Sequence, residues 1–205
     1  MPKQVWLECE DDDAWALCDV LDEEGDEVKL KRQTSPVGVS PLVTVTKAEF
    51  EKMMAGVGDL SQPVVDLCQL EDVHYGSMLH TLRQRYEEED IYTAIGPVVI
   101  AINPYKKVES CSAEAFTTMK DLSEENLPPH VFRSGLSAYH GMLSEGTAQS
   151  ILISGESGAG KTETTKLCMN VLAEVSAAKA QGRPCVIVFV GVNGVGKSTS
   201  LSKVA

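Results

Sequence analysis

The sequence predicts a mixed α/β fold, with a small antiparallel β-barrel at its start and a truncated α/β region after it. Three observations lead there. Short β-like segments separated by Gly, Asp and Pro clusters fill Val5 to about Val45, and apolar positions recur at three-to-four-residue steps from Val73 onward. Two buried-type apolar strands then each run into a glycine-rich loop followed by helical sequence. The 205 residues, 43% hydrophobic and 23% charged, have the composition of an ordinary soluble globular protein, long enough for one good domain or two small ones.

In chain order, "VWLE", "AWALCDVL", "EVKLKR" and "LVTVT" are the expected barrel strands, separated by "EDDD", "DEEGDE" and "TSPVGVSP". Trp6 and Trp15 are expected to supply much of the barrel core. "KAEFEKMM" is a short helix and "AGVGDLSQPVVD" a linker. In "VHYGSMLHTLRQRY", Met78, Leu79, Leu82 and Tyr86 fall at helical spacing, which predicts an amphipathic helix with Arg83 and Arg85 outward. "DIYTAIGPVVIAINPYK" reads as two strands joined at Gly96-Pro97, the second stopped by Asn103-Pro104. After "LPPH", Phe132, Leu136, Tyr139 and Leu143 mark a helix that Pro129 helps to open. "QSILIS" is a buried-type strand, and "KTETTKLCMNVLAEVSAAKAQ" is a long helix broken at Gly182 and Pro184. "CVIVFV" is a second such strand, and Lys197 begins another helix. The expected domains are residues 1–50, 60–176 and 177–205.

The formal net charge is -12, and the first 60 residues carry most of it, with 6 Lys/Arg against 14 Asp/Glu. Such a face repels phosphate backbones, which argues against a nucleic-acid partner. The longest apolar runs, "PVVIAI" and "CVIVFVGV", fall well short of the roughly 20 residues of a membrane span. The opening "MPKQVWLECEDDD" has no apolar stretch of a secretory signal, so the expected compartment is the cytosol. Six scattered cysteines without a C-x-x-C pair read as reduced thiols.

Gly155-Glu156-Ser157-Gly158-Ala159-Gly160-Lys161-Thr162 is a full G-x-x-x-x-G-K-T between a strand and a helix. Glycines let the backbone wrap so that its N–H groups point inward, and the helix N-terminus adds a field favourable to anionic phosphates. In that arrangement Lys161 reaches the β- and γ-phosphates and the Thr162 hydroxyl ligates Mg²⁺. A second loop of the same form follows, Gly191-Val192-Asn193-Gly194-Val195-Gly196-Lys197-Ser198, with Thr199 beside it. A phosphate cradle binds, whereas hydrolysis also needs a second magnesium carboxylate, a water-positioning group and a charge-stabilising side chain. No acidic residue follows Ser198.

"SILISGESGAGKTETTK" resembles the phosphate loop of myosin motor heads, and the preceding text agrees in order. "DLCQLEDVHYGSMLHTLRQRY" resembles the segment that opens the motor core, "IYTAIGPVVIAINPYK" its strand pair with the N-P-F/Y-K motif, and "PPHVFRSGLSAYHGML" the helix before the loop. The tryptophan-bearing start is similar to the SH3-like barrel many myosins carry. The resemblance covers about Val5 to Val175 and implies a truncated P-loop NTPase region after an SH3-like barrel. It implies that Asn103, Pro104 and Lys106 line the purine side of an ATP site, that Gly155 to Thr162 hold phosphates and Mg²⁺, and that the Ser157 hydroxyl faces the γ-phosphate. It further implies actin as partner and a cytoplasmic, cytoskeleton-associated location. One departure is that Cys111 stands where the family usually places a Tyr against adenine.

The switch I string (N-x-N-S-S-R-F-G type), the switch II string (D-I-x-G-F-E type) and the actin-binding cleft of a myosin head have no counterpart here. After about Ser176 the sequence changes character. "GRPCVIVFVGVNGVGKSTSLSKV" is similar to the first nucleotide motif of signal-recognition-particle GTPases, especially the receptor α subunit. The expectation is therefore a chimeric or truncated chain whose families meet near Ala177 to Gly182, an ATP-binding piece of a myosin motor that is catalytically incomplete. Two alternatives are a GTP-binding targeting-receptor fragment using the second loop, and a non-enzymatic interaction module built on the acidic barrel.

Overall fold

Apolar residues at every second position organise the N-terminal strands. The computed structural model describes residues 3–10, 14–52, 57–178 and 188–192, and these belong to two units, Met1–Glu87 and Glu88–Ala205. In the first unit β1 (Gln4–Glu8), β2 (Trp15–Glu24), β3 (Glu27–Arg32) and β4 (Leu42–Thr46) pair antiparallel in chain order. Successive side chains of a strand point to opposite faces. Val5 and Leu7 of β1, Ala16 and Cys18 of β2, Val28 and Leu30 of β3 and Val45 of β4 therefore form one buried cluster, closed by Phe50 of α1 (Lys47–Lys52). Thr46 starts α1 reciprocally: its hydroxyl accepts from the Glu49 N–H at 3.3 Å while the Glu49 carboxylate accepts from the Thr46 N–H at 2.9 Å. The four expected strands are all present, and among the described residues they pair as an open sheet with β1 and β4 at its edges.

Two expectations for this unit need correction. Trp6 lies between Val5 and Leu7, so the pleat turns it away from the sheet's core cluster. It is 2% exposed, and its indole Nε1–H donates to the Ser77 hydroxyl at 3.0 Å on α2 (Tyr75–Glu87). Trp15 is half-buried, edge-on to His74 at 4.6 Å. The helix expected here is present, but its buried face is Gly76, Ser77, Thr81 and Arg85, while Leu79 and Tyr86 are exposed. The reason is size. A helix lying against an indole needs small residues at the contact, and a Cβ added to Gly76 would stand 2.3 Å from the Trp6 ring. Arg85 thus turns inward rather than outward.

In the second unit β5 (Tyr92–Ile95) and β6 (Val98–Ala101) form the expected hairpin around Gly96-Pro97. A short helix α3 (Ala113–Met119) follows, capped by the Ser112 hydroxyl, which accepts from the Ala115 N–H at 3.1 Å. Next come α4 (Val131–Glu145), β7 (Ser150–Ser154), α5 (Lys161–Ala178) and β8 (Val188–Val192). β7 and β8 pair in parallel, with Ser150 opposite Val188 and Ser154 opposite Val192. The core gathers Ile91, Tyr92, Phe116, Leu127, Val131, Phe132, Leu136, Cys168 and Val171. The five described cysteines, Cys9, Cys18, Cys68, Cys111 and Cys168, are unbridged. Burial pushes the thiols of Cys18 and Cys168 up to about 11, which keeps both protonated at neutral pH. Among the described residues no helix is long and apolar enough to cross a membrane.

His130 opens α4 in place of the usual small polar cap. Its Nδ1 accepts from the Phe132 N–H at 3.0 Å, and its ring packs 4.2 Å from that of Tyr92. Burial lowers its pKa to about 4, a pull that a hydrogen bond with the Ser110 backbone partly opposes. A proton on Nδ1 would also turn the capping acceptor into a donor. The stability this site contributes is complete above about 6.5, the ordinary value, and is lost as pH falls toward about 4, because over that interval the unfolded chain binds a proton the folded chain refuses. The expected loss is about 3 kcal/mol. Urea midpoints measured from pH 7 to pH 4 should fall more steeply for the unaltered chain than for His130→Asn, which caps without titrating. Equal slopes would show that His130 does not govern the transition.

Candidate functional site

β7 delivers the chain to the glycine-rich turn, and α5 takes it away. Between them Gly158 has φ 82° and Gly160 φ 89°, backbone positions that side-chain-bearing residues rarely adopt. These angles curl Gly155 to Gly160 back on itself, with the Ala159 N–H donating to the Glu156 carbonyl at 3.3 Å. The Thr164 N–H donates to the Gly160 carbonyl at 3.0 Å, the first bond of α5. The N–H groups of Lys161, Thr162 and Glu163 have no carbonyl a turn behind them inside the helix, so the helix start offers donors to an anion.

Lys161 reaches back across the turn. Its ammonium donates to the Gly155 carbonyl at 2.7 Å and to the Glu156 carbonyl at 2.5 Å, which places a positive charge within the curl. Ser157 and Thr162 are exposed beside it. Glu163, in the first turn of α5, is paired with Lys166 at 2.5 Å, so its negative charge is partly balanced where an anion would approach.

The end of β6 supplies a second wall. The Asn103 amide nitrogen donates to the Gly158 carbonyl at 2.7 Å while its amide oxygen accepts from the Tyr105 N–H at 2.9 Å. One side chain therefore ties the turn after β6 to the glycine-rich segment, and a Cβ on Gly160 would lie 3.6 Å from it. Pro104 is half-buried. Tyr105 has φ 52°, its ring is 82% exposed, and its hydroxyl lies 3.7 Å from where a Gly158 side chain would begin. The Lys106 ammonium is engaged by the Glu89 carboxylate.

The structure thus brings Asn103 against the Gly155–Thr162 segment and turns Lys106 toward Glu89. Sequence reasoning passed over Tyr105 and Glu89. An aromatic in the N-P-Y-K string was the available signal for Tyr105, whereas nothing local marks Glu89 as the partner of Lys106. Cys111 faces inward, its Sγ 3.3 Å from the Tyr92 hydroxyl and 3.9 Å from His130 Nε2. In the second loop sequence Gly191 is a strand residue of β8 opposite Ile153. Asn193, Gly194, Gly196, Lys197, Ser198 and Thr199 lie outside the described residues.

The described residues define a mixed α/β protein with a four-stranded antiparallel sheet and a glycine-rich strand-to-helix turn. The myosin head (motor domain) family matches residues 64–201. Myosin-6 of Arabidopsis thaliana is 36% identical over 181 residues, 87% of this chain and 12% of that protein. The non-muscle myosin heavy chain of Drosophila melanogaster is 34% identical over 194 residues, 92% of this chain and 9% of that protein. Unconventional myosin heavy chain 6 of Caenorhabditis elegans is 44% identical over 115 residues, 56% of this chain and 6% of that protein.

The chain belongs to the myosin head (motor domain) family. It spans no more than 12% of the length of these relatives. The family match continues to residue 201, into the segment 183–205 on which the targeting-receptor alternative rests, and that alternative gains no support.

Proposed function

We propose that this chain binds ATP with Mg²⁺ on Gly155 to Thr162, as the nucleotide-binding part of a myosin motor whose whole activity is ATP-driven movement on actin. The observation that carries the reading is the turn itself: positive φ angles at Gly158 and Gly160, donors at the start of α5, and the Lys161 ammonium held inside by two carbonyls. These residues fit a polyphosphate, since the positive charge and the N–H groups converge on one curl of backbone. Lys161 would exchange its carbonyl partners for the β- and γ-phosphate oxygens, and the exposed Thr162 hydroxyl would ligate Mg²⁺. Ser157 would face the γ-phosphate. Asn103 keeps the turn in shape from the purine side, with Pro104 next to it, and Lys106 acts there through its pair with Glu89. Bound Mg²⁺ would offset phosphate charge.

In this reading the sheet of β1 to β4 is an SH3-like module, and the strand–turn–helix of β7 and α5 is the front of a P-loop NTPase domain. Association with the cytoskeleton follows from actin as partner. Titration calorimetry of the 205-residue chain with Mg-ATP is expected to show saturable one-site binding, and nucleotide is expected to protect the chain from limited proteolysis past Thr162. Turnover at motor-like speed is not expected, because the strings that position water and magnesium for hydrolysis are not among these residues. Absence of heat at millimolar Mg-ATP, with no change in the proteolytic pattern, would overturn the proposal.

A further inference from the structure

The sequence holds a second phosphate-loop motif that the ATP site does not use, and the sheet places its start. β7 and β8 run parallel and in register, with Ile153 opposite Gly191 and Ser154 opposite Val192. Both strands therefore leave the sheet at one edge, the carboxyl edge, where open α/β sheets bind their ligands. From Ser154 the chain passes straight into Gly155 to Thr162, and Gly191-Val192 at the end of β8 are already the first two residues of the second G-x-x-x-x-G-K-S. Neighbouring strands lie about 4.8 Å apart, so the two motifs start side by side. Asn193 to Ser198 lie outside the described residues and their spacing is a property of the sequence, which keeps Lys197 within about 18 Å of the end of β8. Charge points the same way. The chain carries a net charge of -12, yet the residues that follow β8 include Lys197 and Lys203 and no Asp or Glu. On the first loop the Lys161 ammonium already sits within the curl.

We propose that this edge carries two phosphate cradles next to each other and that their common ligand is one inorganic polyphosphate chain, reaching from Lys161 on the first to Lys197 on the second. The inference rests on the phosphate reading above and extends it to the second motif. One chain suits the spacing better than two nucleotides do. Two triphosphates held one strand apart would repel through adjacent charges of the same sign, whereas a single chain spreads its charge along both loops and meets both lysines. A triphosphate is taken up by the first loop alone, so Lys197 does not bear on Mg-ATP. The second loop raises affinity only for a ligand long enough to reach it, because that contact then forms within a complex the first loop has already made.

Calorimetry of the 205-residue chain compares inorganic tripolyphosphate with long-chain inorganic polyphosphate, on the unaltered chain and on Lys161→Ala, Lys197→Ala and Lys203→Ala. The unaltered chain is expected to bind the long chain about tenfold tighter than tripolyphosphate, or more. Lys197→Ala is expected to lower long-chain affinity by about tenfold and to leave tripolyphosphate unchanged, which also shows that the variant is folded. Lys203→Ala removes the same charge six residues further on and should change neither. A long chain bound no tighter than tripolyphosphate, or a long-chain affinity untouched by Lys197→Ala, overturns the inference. So does an equal loss in Lys203→Ala, since the effect would then be diffuse charge and not a cradle. Loss of tripolyphosphate binding in Lys197→Ala overturns it as well, by merging the two sites into one. If Lys161→Ala leaves tripolyphosphate binding unchanged, the phosphate reading of the first loop itself fails. If Lys161→Ala weakens tripolyphosphate and Lys197→Ala spares the long chain, only the two-cradle inference fails.

Discussion

Lys161→Ala is expected to weaken Mg-ATP binding by about 100-fold or more, since hydrogen bonds to a charged group contribute about 1.5–3 kcal/mol each and this ammonium makes two inside the turn. The same two donors are the ones a triphosphate would take over. Both carbonyls they leave belong to Gly155 and Glu156 on a turn largely open to water, so the folded chain loses little and its melting temperature should move by no more than a few degrees. Lys161→Arg is expected to recover only part of the affinity, because a planar fork does not fit a curl closed around a point charge. Lys197→Ala, in the second loop sequence, should leave Mg-ATP binding unchanged. Calorimetry on the three variants checks this, and equal loss from Lys161→Ala and Lys197→Ala would show that the two loops share the nucleotide or that neither holds it.

Why Lys161 was visible in the sequence while its surroundings were not is a matter of range. The glycine spacing, the preceding strand and the following helix are all set within about 30 residues, and backbone angles such as those of Gly158 and Gly160 are local needs that local composition records. Clusters of Gly, Asp and Pro between β-like segments likewise placed β1 to β4, and three-to-four periodicity placed α2 and α4. The Asn103 contact with Gly158 joins residues 55 apart, and the Trp6 contact with Ser77 joins residues 71 apart. No window of sequence contains either pair.

The inward face of α2 shows the limit most clearly. Periodicity selected Met78, Leu79, Leu82 and Tyr86 because they are apolar, yet the helix buries Gly76, Ser77, Thr81 and Arg85 against what it meets. Hydrophobicity predicts burial only when the partner surface accepts bulk. A tryptophan presented by β1 accepts small residues and one hydrogen-bonding hydroxyl. The turn of Cys111 toward Tyr92 and His130 is a similar case, in which a residue at a motif position answers to its packing neighbours.

The packing of Trp6 makes Gly76→Ala the decisive substitution in the first unit, with an expected loss of about 3 kcal/mol or more, at the upper end of overpacking costs. Propensity alone predicts the opposite sign, because alanine inside a helix is favoured over glycine by about 1 kcal/mol. The clash outweighs it: the added Cβ would stand 2.3 Å from Trp6 Cδ2 and 2.6 Å from both Cε3 and Cγ, distances at which something must move. The indole has little freedom to do so, being 2% exposed, with the rings of His74 and His80 at 6.4 and 6.0 Å and its Nε1–H fixed on Ser77. Lifting α2 instead would break that hydrogen bond and open the face that Thr81 and Arg85 bury. Ser77→Ala, which removes only the acceptor, should cost about 1–3 kcal/mol without a clash. In a Trp6→Leu background the Gly76→Ala penalty should shrink to a small fraction of its value, because a branched aliphatic side chain leaves the space the methyl needs. Urea denaturation followed by circular dichroism on this double-mutant cycle measures the coupling, and a Gly76→Ala chain more stable than its parent would show that propensity prevails and that the contact is looser than these distances.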